Sequence, residues 1–408
     1  MLSLYVGISA QEITREAYNR FRITSSYSIN SVGLEHLTLE KINGDIALNS
    51  DNQKQIFIQE TMAINAVTEE NALSLYLDAK AVLESSGNEV HLTGQNLPHE
   101  ILESNYRIIL PPNFEIMADL TSGSISADGF SGALLIMTKL GDISLSKISS
   151  RTIASTLAGD LYCNNISGNT TFSTTAGNIK AEAIKGDLDV SSESGKIDIK
   201  SVEGDVLITG GEGTITIDNV YGRTISVHTR DGDITVGNIN GETQLKTLKG
   251  DILVENLEGN LDLFSSNGDL SLRNINGDIL GWTKNGGIIG QQLAGCFNFE
   301  TVSGDILIQK SWDGSVSGHT IDATTNAGNI FLELPEEFPA DFRVEVNNPE
   351  VAPDEAIISD FPLYIEATKM SAVGTSEVPG KPLKVNLSSS FGKVIIRWSE
   401  QNFPSRFP

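Results

Sequence analysis

Residues 250–279 read GDILVENLEGNLDLFSSNGDLSLRNINGDI, with glycine at 250, 259, 268 and 277. Take each Gly as position one of a nine-residue unit. Positions three and five are then Ile252 and Val254, Leu261 and Leu263, Leu270 and Leu272. Period-two alternation of this kind is the pattern of a short strand with one buried face. The Gly and the Asp or Asn behind it form the turn, where a positive φ is cheap only for Gly. Each Gly is therefore expected to be a corner, and each Ile-x-Val a wall.

Working outward, glycines recur at 123, 132, 141, 159, 168, 177, 186, 195, 204, 213 and 222, with Ser150 as the one interruption. After a slip of one residue the series resumes at 232 and runs through 241, 250, 259, 268, 277, 286, 295 and 304. A second slip leads to Gly314, and a last related unit opens at Gly328. Position eight carries a slower rhythm. Ile166, Ile184, Val202, Val220, Ile239, Leu257, Ile275 and Leu293 are apolar, while Thr175, Glu193, Gly211, Arg230, Ser266 and Lys284 stand between them, Leu248 being the exception. The repeat is thus 18 residues, with one buried and one solvated corner. The predicted fold class is all-β: a single-stranded parallel β-helix or solenoid of 18-residue, two-strand coils, capped at both ends. Its turn glycines include Gly141, Gly159, Gly177, Gly195, Gly232, Gly250, Gly268, Gly277 and Gly304. A lone coil buries too few aliphatic side chains to offset its backbone entropy, so stability has to come from stacking. Gly281 and Gly290 occupy inward position five, and Phe299, 18 residues after Gly281, is placed to fill the gap.

Bare solenoid ends would expose strand edges, so caps are expected. Residues 1–19 read as a signal-peptide remnant or a disordered N-terminus, since residues 2–8 are short and apolar and Ile8-Ser9-Ala10 is a small-residue cleavage context without a basic n-region. Residues 20–120 read as an N-terminal β-rich cap with one short helix, 121–335 as the solenoid and 336–408 as a C-terminal β cap. Within the first cap, HLTLEKINGDIAL (36–48) reads as a hairpin turning at Asn43-Gly44. Thr68-Glu69-Glu70 opens a helix through about Asp78, and KAVLESSGNEVHL (80–92) reads as a second hairpin. In the last cap, residues 341–346 and 383–398 alternate like strands, and the Pro-rich stretch 349–382 reads as a long loop with a strand near Tyr364.

The chain has 408 residues with 28 basic against 53 acidic, a net charge of −25. That field repels nucleic acid and anionic membranes, and disfavours phosphate binding. No run approaches the roughly 18–20 apolar residues of a membrane span, so no transmembrane span is expected. Cys163 and Cys296 fall several coils apart, too far for a disulfide, and Cys163 takes an inward position.

The Asp behind the corner Gly recurs at Asp142, Asp160, Asp187, Asp205, Asp233, Asp251, Asp269, Asp278 and Asp305. Such residues cap turn N–H groups. Calcium rolls need a double-Gly motif with a further Asp, which this repeat lacks, so no cofactor is expected beyond weak Ca2+ binding. The five histidines are scattered, and no metal set, nucleophile elbow or P-loop is present. Regular outward Thr-x-Thr ladders, which an ice-binding solenoid needs, are also missing. One outward column deserves naming as a candidate binding face: His228, Lys246, Phe264, Trp282 and Glu300, spaced by 18. An aromatic pair beside a cation can stack on a sugar ring, although cross-strand packing produces the same pair.

Gly-Asp-Ile/Leu units at this spacing, a strand-rich N-terminal region and the closing FGKVIIRW (391–398) resemble the bacterial Gly-Asp-Ile β-strand-repeat proteins of unknown function, an adhesin-type β-solenoid family. The resemblance runs from about residue 35 to 398. It implies an exported solenoid with surface or envelope interactions and supplies no catalytic residues. The expectation is a non-enzymatic adhesion or cell-envelope scaffold module, extracytoplasmic (periplasm, cell surface or secreted), with a surface glycan or envelope protein as partner. Two alternatives stand beside it. One is a carbohydrate-active β-helix enzyme, working through Asp231 or Asp233, or a glycan-binding protein; the other is a self-assembling structural solenoid.

Overall fold

The computed structural model describes residues 10–312, 319–366 and 370–399. The described residues are all-β with two short helices, and the chain divides into two compact units, Met1–Gly204 and Asp205–Pro408.

In the first unit, Arg20–Asn30, Gln55–Asn65 and Ile101–Leu110 form an antiparallel layer. Of the segment 1–19, residues 1–9 lie outside the described residues, and Ala10–Ala17 pairs antiparallel with Arg20–Asn30. Helix α1, Glu69–Ala79, is capped by Thr68, whose hydroxyl accepts from the Asn71 N–H at 3.2 Å. Glu69 and Glu70 in its first turn complement the helix dipole. Its buried Ala72, Tyr76 and Ala79 pack on Phe21, Ile23, Met62 and Ile64. Val82–Ser86 and Glu89–Thr93 form a hairpin across Gly87.

Asn43-Gly44 is not a hairpin turn. His36–Asn43 pairs in parallel with Glu89–Thr93 and Glu115–Ser122, whereas Asp45–Ser50 pairs in parallel with Ile101–Leu110 and Ile125–Asp128. The Gly-Asp-Ile that follows Asn43 is the repeat's own corner signature, and strand stacking overrides the local preference of Asn-Gly. From there the unit becomes two stacks of parallel strands. Leu134 pairs with Thr152 and Thr152 with Thr170 in one; Ile143 pairs with Leu161 and Ile179 with Ile197 in the other.

The second unit repeats this pattern, with Ile252 opposite Leu270 and Leu261 opposite Ile279. Inward residues such as Ile252, Val254, Leu261 and Leu270 are fully buried. The one-residue slip in the sequence becomes a bulge: Val220 pairs with Ile239, but Thr224 pairs with Glu242. The second slip falls between Lys310 and Ile321, where residues 313–318 lie outside the described residues. Phe299 fills the gap at Gly281, where an added Cβ would lie 2.8 Å from its ring. Near the C-terminus, Ala340–Val346 lies parallel to Leu383–Ser389 and Val394–Trp398 parallel to Ile330–Leu334. The stretch 349–382 is more structured than a long loop. It holds helix α2, Pro353–Ala356, the strand Ile357–Ser359, and the antiparallel pair Leu363–Glu366 with Ser371–Thr375.

The corner glycines answer to two constraints. Gly250 has φ of +139°, and a Cβ there would lie 2.3 Å from the Gly232 carbonyl oxygen. Gly232 and Gly268 are outside the left-handed window, yet their Cβ atoms would lie 2.0 and 1.9 Å from the carbonyls of Gly213 and Gly250. Close stacking of corner on corner is therefore the shared requirement, and positive φ, expected to be the cause, accounts for only part of the series.

Candidate functional site

The corner carboxylates are engaged in backbone hydrogen bonds. Asp233 Oδ1 accepts the Asp251 N–H at 2.9 Å, Asp251 that of Asp269 at 2.8 Å, and Asp269 that of Gly287 at 2.7 Å. In the first unit Asp142 and Asp160 do the same for Asp160 and Asn178. Each side chain caps the next corner rather than its own. Hydroxyls add a second ladder, with Thr283 donating to the Gly268 carbonyl at 2.9 Å and Thr301 to that of Gly286 at 2.8 Å. Among the described residues, no group of three or more His, Cys, Asp or Glu side chains converges as metal ligands would.

A third ladder escaped the sequence reading. Asn219, Asn238, Asn256 and Asn274 take φ of 54–60°, a left-handed conformation that Asn tolerates better than most residues. Their amides link up: Asn274 donates to Asn256 at 2.8 Å, Asn256 to Asn238 at 3.2 Å, and Asn238 to Asp218 at 2.7 Å. The signal was Asn at position seven, directly before the apolar corner.

The outward column is assembled in register, His228 beside Lys246, then Phe264, Trp282 and Glu300. His228, Lys246 and Glu300 are exposed, and Phe264 and Trp282 are half-buried. The two rings stack at 4.7 Å and 8°, which matches the spacing of neighbouring strands. Each ring thus covers one face of the other. The faces outside this stack are that of Phe264 toward the Lys246 strand and that of Trp282 toward the Glu300 strand. His228 Nε2 lies 3.4 Å from Gln244 Oε1.

The two carboxylates considered for catalysis are differently occupied. Asp231 pairs with Lys249 at 3.1 Å and Arg230 at 3.3 Å, and the Lys249 hydrogen bond holds its carboxyl below the usual range. A general acid needs the opposite shift. Asp233 is held in the corner ladder.

Lys310 breaks the pattern of the core. It stands beside Leu293 in the aliphatic corner column, buried, with Nζ donating to the Gly295 carbonyl at 2.6 Å and lying 4.0 Å from the Phe297 ring centroid. Burial pulls its ammonium down to about 7. Cys163 is fully buried, Cys296 is half-buried, and neither forms a disulfide among the described residues.

Parallel strands stacked on glycine corners, with no helix among the described residues long and apolar enough to cross a membrane, define a β-solenoid-like repeat protein. Within that class, residues 182–355 match the family model Toastrack DUF4097. Three solved structures are similar to the chain. A candidate cell adhesion protein from Clostridium sporogenes is 8% identical over 92% of this chain and 99% of its own, with a TM-score of 0.17. A candidate adhesin from Bacteroides fragilis is 11% identical over 76% and 96%, with a TM-score of 0.25. A candidate lipid-binding protein from Parabacteroides distasonis is 11% identical over 76% and 96%, with a TM-score of 0.19. No curated protein sequence matches the chain.

Proposed function

We propose that the chain is a non-enzymatic, exported adhesion or cell-envelope scaffold module, working outside the cytoplasm on a surface glycan or an envelope protein. The observation that carries this reading is the engagement of the repeated carboxylates: those of Asp233, Asp251 and Asp269 bind the backbone of the next corner. Side chains so engaged hold the stack together, which leaves the outward columns to meet a partner. The 18-residue register of the parallel pairs supports the two-strand coil, and the antiparallel strands found within 20–110 of the first unit and 340–375 of the second support the proposed caps at 20–120 and 336–408. The column from His228 to Glu300 is the recognition face we assign to the second unit, and Trp282 is its centre.

A glycan array probed with the whole chain, with and without calcium, tests the partner class. Saturable binding that disappears in Trp282→Ala supports glycan recognition through this column. Silence under both conditions removes the glycan and leaves an envelope protein as partner. Release of reducing ends from a polysaccharide panel, abolished by Asp231→Asn, would overturn the non-enzymatic reading. Self-assembly is favoured by one observation, the exposed strand Ala10–Ala17, which pairs with Arg20–Asn30 along one edge. A monomer by light scattering at high concentration would remove that reading.

A further inference from the structure

The first unit carries a cleft that the repeat does not require. It measures about 560 Å³ and lies over the starts of the strands Glu115–Ser122, Leu134–Leu140 and Thr152–Ala158, bordered by His36–Asn43. These strands pair in register, so their outward residues form columns. One column runs Glu115, Ala133, Arg151, and the column two residues further along each strand runs Met117, Leu135, Ile153.

Three observations make this a built site. Ala133 is a short side chain between two long, oppositely charged ones, which opens a notch two strand spacings wide, roughly 9.6 Å. The solvent-facing positions behind the notch should be polar by alternation, yet all three are apolar, with Met117 40% exposed. The charges are not spent on each other: Glu115 Oε2 is held by His36 Nδ1 at 3.2 Å, and exposed Arg151 pairs with no carboxylate among the described residues.

We propose that this cleft binds an apolar α-amino acid. The ammonium sits on Glu115, the carboxylate on the Arg151 guanidinium, and the side chain on Leu135 between Met117 and Ile153. The strands that carry the two charges stand two spacings apart, and both side chains are long enough to close on a small zwitterion between them. An ammonium and a carboxylate on one carbon are about 3 Å apart, and a charge-assisted hydrogen bond at each end adds about 2.8 Å, giving roughly 9 Å in total. A simple anion would meet Glu115 at the wrong end, and a simple cation would meet Arg151. Only a zwitterion satisfies both, and the guanidinium fork suits a carboxylate in bidentate geometry.

The test is a titration of the whole chain followed by TROSY amide shifts, with leucine as ligand. Saturating shifts are expected at residues 116–117, 133–135 and 151–153. Leucinamide lacks the carboxylate, N-acetylleucine lacks the ammonium and glycine lacks the side chain, so each should bind roughly five- to tenfold more weakly. Arg151→Gln should lower leucine affinity by a similar factor and leave leucinamide affinity unchanged, the signature of one shared contact. Glu115→Gln should do the same with respect to N-acetylleucine. The affected residues are on the surface, so unchanged shifts elsewhere establish that the variants are folded. An absence of saturable shifts with leucine overturns the proposal. So does equal binding of leucine, leucinamide and N-acetylleucine.

Discussion

Gly250→Ala and Gly380→Ala form a matched pair that separates the two constraints on corner glycines. Both residues lie in the second unit, at φ of +139° and +144°. An L residue forced there costs roughly 1–3 kcal/mol in either case. The surroundings differ. A Cβ on Gly380 would approach nothing closer than 3.8 Å, at Pro339, whereas a Cβ on Gly250 would lie 2.3 Å from the Gly232 carbonyl oxygen. Relieving that overlap requires the corners to separate by about an ångström, which breaks the Gly232 N–H bond to Lys249 O at 2.8 Å and the Asp251 N–H bond to Asp233 at 2.9 Å. At about 0.5–1.5 kcal/mol for each hydrogen bond, the additional cost is on the order of 1–3 kcal/mol. Gly250→Ala is therefore expected to lose roughly twice as much stability as Gly380→Ala. Native-state hydrogen exchange is the suitable assay, because repeat arrays need not unfold in one step. The amides of Gly232 and Asp251 should lose protection in Gly250→Ala only. Equal losses in both variants, with protection at residue 251 retained, would refute the stacking argument and return the glycines to a purely conformational role.

Four further outcomes can be checked in the same way. Thr68→Ala removes the cap on the Asn71 N–H and should destabilise the first unit by about 1 kcal/mol, read from its urea midpoint. Glu60 is 2% exposed and accepts hydrogen bonds from Tyr76, Tyr106 and the Ala81 N–H, yet burial pushes its carboxyl up. The folded chain then keeps a proton that the unfolded chain releases, so first-unit stability should fall as pH rises through and above the ordinary carboxyl range; Glu60→Gln should flatten that decline in pH-dependent melting. Lys310 works in the other direction. With its ammonium at about 7 in the fold and an ordinary value of 10.5, stability of the second unit should rise between those pH values, and Lys310→Met should abolish the rise. Finally, Val190→Thr buries a hydroxyl in the core and should cost about 1–3 kcal/mol by denaturant titration, whereas Leu135→Thr on the outward face should cost well under 1 kcal/mol.

Much of the parallel stack was legible because two signals coincide in it: glycine at a fixed interval, and alternation such as Ile252-x-Val254, with both residues buried. Asn43-Gly44 reads ambiguously because a hairpin turn and a coil corner share the same dipeptide, and only the partners 53 to 79 residues away distinguish them. The Asn ladder is present in the sequence at position seven, but the residue type alone does not reveal the left-handed φ that brings the amides together. Writing the sequence in rows of 18 shows the column from His228 to Glu300, and it would also have shown Glu115, Ala133 and Arg151. His36 could not be found in that way. It comes from outside the regular rows, and only the parallel pairing of His36–Asn43 with Glu115–Ser122 brings it to Glu115.

In a stacked repeat, inward positions are fixed by the core and corner positions by the three ladders, so a departure at either kind of position has structural consequences throughout. Outward columns carry no such demand, and the simplest sequence for them is polar. The column of Met117, Leu135 and Ile153 returns to that default one strand later at Thr171, and the column of Phe264 and Trp282 returns to it at Glu300 and Thr324. Each apolar run is short, local and bounded by charge on at least one side. Core packing explains neither run, since the side chains face outward, and strand propensity would favour such residues along the whole column rather than at two or three positions. We therefore assign each run to a partner from solution: the small zwitterion proposed for the first unit, and the surface glycan or envelope protein proposed for the second. The two assignments stand on separate residues in separate units, so the failure of one leaves the other intact.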